Sequence, residues 1–242
     1  EIARFDKEIR AAREAGADIV RTVCLSGRRY EDFDTAEAWR QFTERSWNSL
    51  TLAEPIVRQQ RVRLAVENHK DWRVPELLGL LQRLSSEWVG VCVDFGNSFS
   101  LLEEPMKVVE AYAPFAFTTH FKDMAVQEYD EGFLLSEVPL GEGFLDLKQM
   151  IETLRRANPE IRINLEMITR DPLRVPVLGR KYWASSADVP AQDLARTWAL
   201  VRQHPPRKPL PRVTGLSQDA HLKFEEDNIV ACFDFGRRGL EC

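Results

Sequence analysis

Four short apolar runs each end in a side chain able to hold a metal ion: VRLAVE (62–67), VGVCVD (89–94), FAFTTH (115–120) and IRINLE (161–166). Their last residues, Glu67, Asp94, His120 and Glu166, make an oxygen-rich donor set with one imidazole. Such a set suits Mn²⁺, Mg²⁺, Co²⁺ or Zn²⁺ better than copper or an iron–sulfur cluster. Three carboxylates brought together repel one another unless a dication neutralises them. A strand-end carboxylate taken singly can equally be a helix cap or a solvated loop residue. What sets these four apart is that they recur at the same place in four similar runs.

Short runs rich in Val, Ile and Phe predict β-strands, in which alternate side chains point to opposite faces. Counting back by twos places Arg63 and Ala65 with Glu67, Gly90 and Cys92 with Asp94, Ala116 and Thr118 with His120, and Arg162 and Asn164 with Glu166. The other face then holds Val62, Leu64 and Val66, Val89, Val91 and Val93, Phe115, Phe117 and Thr119, and Ile161, Ile163 and Leu165. One face can pack under helices; the other carries the donor at the strand's carboxyl end.

The intervening segments read as helices. A charged amphipathic helix opens the chain and stops at Gly16, and resembles neither a signal peptide nor a natural start. A strand candidate, ADIVRTVC, ends near Cys24 and is followed by a polar loop, LSGRRYEDF. Asp34 with Glu37 reads as a capping box opening a long helix to about Gln59. Pro75 suits the first turn of PELLGLLQRL, EPMKVVEAYA is the next helix, and Asp146 caps DLKQMIETLRRA. The donors are separated by 27, 26 and 46 residues, against roughly 30 for a βαβ unit. The surplus falls in 122–143, expected to be a long loop. Alternating strands and helices predict an α/β fold with a parallel sheet. Beyond Glu166 an irregular aromatic segment leads to the helix AQDLARTWALVRQ. The expected division is a catalytic domain over 1–203 and, over 204–242, a proline-rich linker with a helix from about Ser217 to Arg238.

A chain of 242 residues, 44% of them hydrophobic, can bury a substantial core. A net charge of −5 gives no electrostatic reason to expect nucleic acid, and no apolar segment approaches the roughly 20 residues that span a bilayer. Cys24, Cys92, Cys232 and Cys242 form no CxxC pair, so reduced thiols and a cytoplasmic location are expected.

The segments VENHKDW, VDFGNS, THFKDM, PLGEGFLDL and NLEMITRDPLRVPVLGRKYWA resemble the motifs of the xylose isomerase-like barrel superfamily, in its sugar phosphate isomerase/epimerase branch. The resemblance runs from about residue 12 to residue 182. It implies a (β/α)₈ TIM barrel, here incomplete, with about five parallel strands plus C-terminal helices and no counterpart of the first three strands. It also implies that Glu67, Asp94, His120 and Glu166 hold one divalent metal ion, Mn²⁺ first, with Mg²⁺, Co²⁺ or Zn²⁺ as alternatives. Glu67 and Glu166 would then be the acid/base pair on opposite faces of a small sugar or sugar phosphate, isomerised or epimerised through a metal-stabilised enediolate. His69 and Lys122 lie two residues beyond Glu67 and His120 and would share their direction. Together with Asn97 and Arg170 they are the candidate substrate-binding residues. Arg170, Asp171, Tyr182 and Trp183 either wall the pocket or simply pack behind the last strand. Arg63 and Arg162 are expected in buried ion pairs low in the barrel, and Glu142 in a tight glycine turn.

Other readings remain open. A dehydratase or lyase would need the same metal and base, and a non-catalytic remnant would need neither; a homo-oligomer is also compatible. The zinc-dependent abasic-site endonucleases share the barrel and a similar ligand order, but they use three zinc ions and further histidines. Asn97 stands where that family has a histidine, and no histidine occurs between His120 and His204.

Overall fold

A computed structural model describes residues 1–240. Its centre is a parallel sheet in the order β1-β2-β3-β4, formed by Ile19–Thr22, Arg63–Glu67, Val89–Asp94 and Ala116–His120. Helices α1 (Ile2–Glu14), α2 (Arg29–Asp32), α3 (Ala36–Gln60), α4 (Val74–Leu84) and α5 (Pro105–Tyr112) alternate with the strands, and α6 (Leu147–Ala157) follows them. These are the parallel units of an incomplete (β/α)₈ barrel. The apolar strand face lies under the helices: Leu64, Val66, Val91 and Val93 share one core with Phe42, Val57, Leu77, Val109 and Leu154. Burying such side chains contributes on the order of 1.5–3 kcal/mol each, which fixes the other face, and its donors, toward the barrel interior.

Helix starts follow local chemistry. The hydroxyl of Thr35 accepts from Ala38 N and Asp146 accepts from Gln149 N. The cap of α3 is therefore Thr35, one residue beyond the expected Asp34, which instead pairs with Lys181 at 2.9 Å. Within the expected polar loop 25–33 the structure forms α2, with Arg29 and Tyr30 buried. Arg29 is satisfied there by Glu76 and by the carbonyl of Ser185.

Strand parity holds through β2 and β3 and changes in β4. The register skips one residue, from Val91↔Ala116 to Cys92↔Thr118. Ala116 joins the helix-side core, whereas Phe117 lies beside Arg63 and over Gly90, where a Cβ would sit 2.7 Å from its ring. Phe117 is thus an extra residue of a β-bulge. It reverses the expected placing of Ala116 and Phe117 and restores parity by His120.

Three further expectations are corrected. Residues 161–166 run beside β4 as a fifth parallel segment but make two isolated bridges, Thr118↔Arg162 and Phe121↔Leu165, in place of a strand. Side chains occupy the ladder there. Thr119 Oγ1 donates to Arg162 O and accepts from Asn164 N, while Asn164 Nδ2 donates to Thr118 Oγ1. Such bonds compete with backbone pairing.

Residues 122–143 are largely a hairpin, β5 (Asp123–Tyr129) with β6 (Gly132–Val138), extended by β7 (Leu173–Val175) into a second, antiparallel sheet. Gly132 permits the close approach of β7, since a Cβ there would lie 2.2 Å from Val175 O. Arg63 and Arg162 both reach Asp18, Arg162 bidentately at 2.8 and 3.0 Å, but at exposed positions and not in a buried pair.

Helix α7 (Ala191–Gln203) backs the hairpin through Val201. After the proline-rich stretch, α8 (Gln218–Gly239) packs onto the barrel, where Asn228 Nδ2 donates to Thr169 Oγ1 and Leu140 N to Cys232 Sγ. Cys24, Cys92 and Cys232 are free thiols, and Cys242 lies outside the described residues. No helix among the described residues is long and apolar enough to cross a membrane.

Candidate metal centre

Glu67, Asp94 and His120 end β2, β3 and β4, and the bridge at Phe121↔Leu165 brings Glu166 level with them. One ligand atom from each of the four lies within 4.8 Å of the others.

Glu67 and Asp94 form the buried floor, each about 1% exposed. Glu67 Oε1 accepts from Asn97 Nδ2 at 3.0 Å and its Oε2 from Arg21 Nε at 2.6 Å. Asp94 Oδ1 accepts from the backbone of Gly96 and Asn97 at 2.9 and 2.7 Å, which leaves Oδ2 directed at the cluster. Asn68 clamps the two strand ends: its Oδ1 accepts from Asp94 N and its Nδ2 donates to Asp94 O.

His120 and Glu166 form the more open side. His120 Nδ1 lies 3.3 Å from both Glu67 Oε2 and Glu166 Oε1. Lys122, buried, places Nζ 2.8 Å from Asp94 Oδ2, against Glu166 Oε2, and 3.5 Å from Glu137 Oε1. Asp94 Oδ2, His120 Nδ1 and Glu166 Oε2 lie beside these charges but take part in no well-aligned hydrogen bond. Buried polar atoms are rarely left so. Ligand atoms from four side chains within 4.8 Å of one another, three of them meeting only neighbouring charges, are what a divalent ion requires, so the residues fit the metal.

The electrostatics describe a site held together by protons and ammonium groups. Burial opposes a charge on His120, but hydrogen bonds with Cys92, Glu166 and Glu67 outweigh it and raise its pKa to about 12. Burial likewise opposes ionisation of Glu166 and Glu67. His120 and Lys122 nevertheless hold Glu166 well below the usual carboxylate range, and His120 and Arg21 lower Glu67. Burial raises Asp94 to about 6 against the pull of Lys122. A protonated His120 and Lys122 thus supply the positive charge that the carboxylates need.

The other expected site residues distribute around this centre. Asn97 is buried and bridges Glu67 to Lys70, its Oδ1 accepting from Lys70 Nζ at 2.6 Å. His69 is half-buried, Nε2 3.4 Å from Lys70 Nζ and Nδ1 without a partner. Arg170 pairs with Glu137 at 2.8 Å. Tyr182 and Trp183 pack behind the site, donating to Ser100 O and Val177 O, and Asp171 ties down Val213 and Thr214. Glu142 pairs with Lys208 at 2.5 Å.

Four residues were not anticipated: Arg21, Asn68, Lys70 and Glu137. Glu137 had a readable signal, because it continues the apolar face of Phe133 and Leu135 at period two. Arg21 sits between Ile19 and Val23 in the run IVRTV, at the same alternation as Arg63.

The sequence pattern of the xylose isomerase-like TIM barrel family matches residues 1–192. The chain belongs to that family. Over 103 residues it is 32% identical to 3-oxo-isoapionate decarboxylase of Pectobacterium atrosepticum, an alignment covering 42% of this chain and 38% of that protein. It thus spans well under half the length of this curated relative. A xylose isomerase-like TIM barrel protein from Mycobacterium smegmatis, solved in complex with magnesium, superposes with a TM-score of 0.57 at 15% identity, covering 83% of this chain and 67% of its own. An L-ribulose 3-epimerase gives 0.54 at 14% identity over 99% and 69%. At such identities the likeness is one of fold.

Proposed function

We propose that this chain carries the metal-binding part of an enzyme that isomerises or epimerises a small sugar or sugar phosphate by moving a proton at a carbon next to a carbonyl. The observation that carries the reading is the convergence of Glu67, Asp94, His120 and Glu166 within 4.8 Å, with an oxygen of each glutamate 3.3 Å from His120 Nδ1. A bound divalent ion, Mn²⁺ first, would be held by these four and would supply Lewis-acid polarisation of the substrate's carbonyl and hydroxyl oxygens.

The remaining roles belong to the side chains. Glu67, with both oxygens engaged and almost no exposure, is a fixed group. Glu166, with 23% of its side chain exposed, is the more open of the two glutamates, its Oε1 3.3 Å from His120 Nδ1 and its Oε2 against Lys122 Nζ, and would be the carboxylate that takes up and returns a proton. Lys122 keeps Glu166 ionised, and therefore able to accept. His69 and Arg170 edge the centre and would orient substrate hydroxyls, while Asn97, buried with both amide ends engaged, would act through Glu67 and Lys70.

A second reading is favoured by the 32% identical relative. In a 3-oxo sugar acid, cleavage of the bond to CO₂ leaves its electron pair on the carbon next to the carbonyl, and a proton drawn from water, relayed through Glu166, would complete the reaction. The two readings share a centre and differ in the bond broken. Incubation with Mn²⁺ and a panel of ketoses in D₂O tests the first: deuterium next to the carbonyl supports it. Release of CO₂ from a 3-oxo sugar acid, with no exchange into any ketose, replaces it by the second. Neither exchange nor CO₂ release from the metal-loaded protein would refute both.

A further inference from the structure

The cations around the centre are not equivalent. Glu67, Asp94, Glu137 and Glu166 are its acids; Arg21, Lys70, Lys122 and Arg170 are its bases. Arg21 lies against Glu67, Lys122 against Asp94 and Glu166, and Arg170 against Glu137. Lys70 differs. Its side chain is 3% exposed, and the neighbours of its Nζ are Asn97 Oδ1 at 2.6 Å and His69 Nε2 at 3.4 Å, both uncharged. Among the described residues no carboxylate lies within the 4.0 Å of an ion pair. Buried ammonium groups are ordinarily paired with an anion.

Two observations say where the missing anion belongs. Its Nζ is bonded to the Asn97 carboxamide, which lies among the ligands of the centre, so Lys70 is buried at the site and not in the apolar core. One amide, that of Asn97, separates it from Glu67. The charge balance points the same way. A dication bound in place of the proton on His120 would add one more positive charge to a centre that already holds Arg21, Lys70, Lys122 and Arg170. Burial, and then Lys122, lowers the Lys70 ammonium to about 8.

We propose that Lys70 is the substrate-binding residue that receives an anionic group, a carboxylate or phosphate, and that the enzyme's substrate is an anionic rather than a neutral sugar derivative. The inference rests on the metal-dependent reading above and names the substrate class of that same site. A charge-assisted hydrogen bond formed out of water predicts a preference of about ten-fold or more for the anionic ligand.

The test uses the full chain loaded with Mn²⁺ and three probes in calorimetric titration: D-fructose, D-fructuronate and D-fructose 6-phosphate. At least one anionic probe is expected to bind about ten-fold or more tightly than fructose, and which one does so separates carboxylate from phosphate. Lys70→Gln is expected to abolish the preference, the anionic probes falling to the affinity that the same variant shows for fructose, and Lys70→Arg to keep it. Equal affinities for all three probes in the native chain overturn the proposal even if Lys70→Gln fails to fold; so does a preference that survives in Lys70→Gln. Failure of the chain to bind Mn²⁺ overturns the metal reading itself, a different result from Mn²⁺ bound without charge preference.

Discussion

The two halves of the centre are built by different means. On the Glu67–Asp94 side, β2 and β3 pair in continuous register, Asn68 clamps their ends, and each carboxylate is tied by two or more hydrogen bonds. On the His120–Glu166 side, a bulge interrupts β4, its neighbour contributes two isolated bridges, and the donor atoms are held by ion pairs more than by aligned hydrogen bonds. On the proposed reading, the tied half would place an ion and the looser half would exchange a proton. Irregular backbone on the same side as the exposed glutamate accords with bulges that re-aim side chains next to active sites.

Mutations that treat the halves unequally test this contrast. The largest effect is expected from Asp94→Ala, which should leave Mn²⁺ undetectable by metal analysis while circular dichroism still shows the folded spectrum; retained metal would break the contrast at its rigid side. Glu166→Gln should lower turnover of any accepted substrate by about 10²–10⁴-fold, with Mn²⁺ affinity, read by electron paramagnetic resonance, reduced far less than turnover. Asn97→Ala, which frees Glu67 without removing a donor, should weaken Mn²⁺ by about 10–100-fold, the range for outer-shell partners.

The pH dependence has a definite sign. His120, with its pKa raised to about 12, carries a proton at neutrality that must leave for the nitrogen to bind a metal. Mn²⁺ affinity should therefore rise with pH between 6 and 8, by about ten-fold per unit for one displaced proton; a flat profile in titrations at several pH values would show that His120 Nδ1 is not a ligand. The smallest effect is expected from Thr119→Val in the irregular half, about 1 kcal/mol of stability in denaturant unfolding, with Mn²⁺ affinity unchanged.

All four donors were legible in the sequence, but the backbone was legible only in the rigid half, for a physical reason. Period-two alternation reports strands whose apolar face is buried, so Leu64, Val66, Val91 and Val93 revealed β2 and β3 and thereby the direction of Glu67 and Asp94. A bulge adds a residue without changing composition, and nothing about Phe117 marked it as the extra one. Asn164 and Thr119 looked like strand residues, and only their mutual placement turns their side chains into substitutes for the ladder. The hairpin hid for a different reason. Its two-residue turn, Asp130-Glu131, and charged strand positions read as loop, so Glu137 and its pairing with Lys122 and Arg170 went unseen. Lys70 is legible in neither way, since a lysine after His69 reads as solvent-exposed until the fold buries it.

Metal analysis of the native chain beside His120→Ala tests the central claim most directly. The four-residue centre predicts close to one divalent ion per chain in the native protein, lost in the variant while its fold persists. No ion bound by the native chain under metal-replete conditions, or the same ion retained without His120, would contradict it.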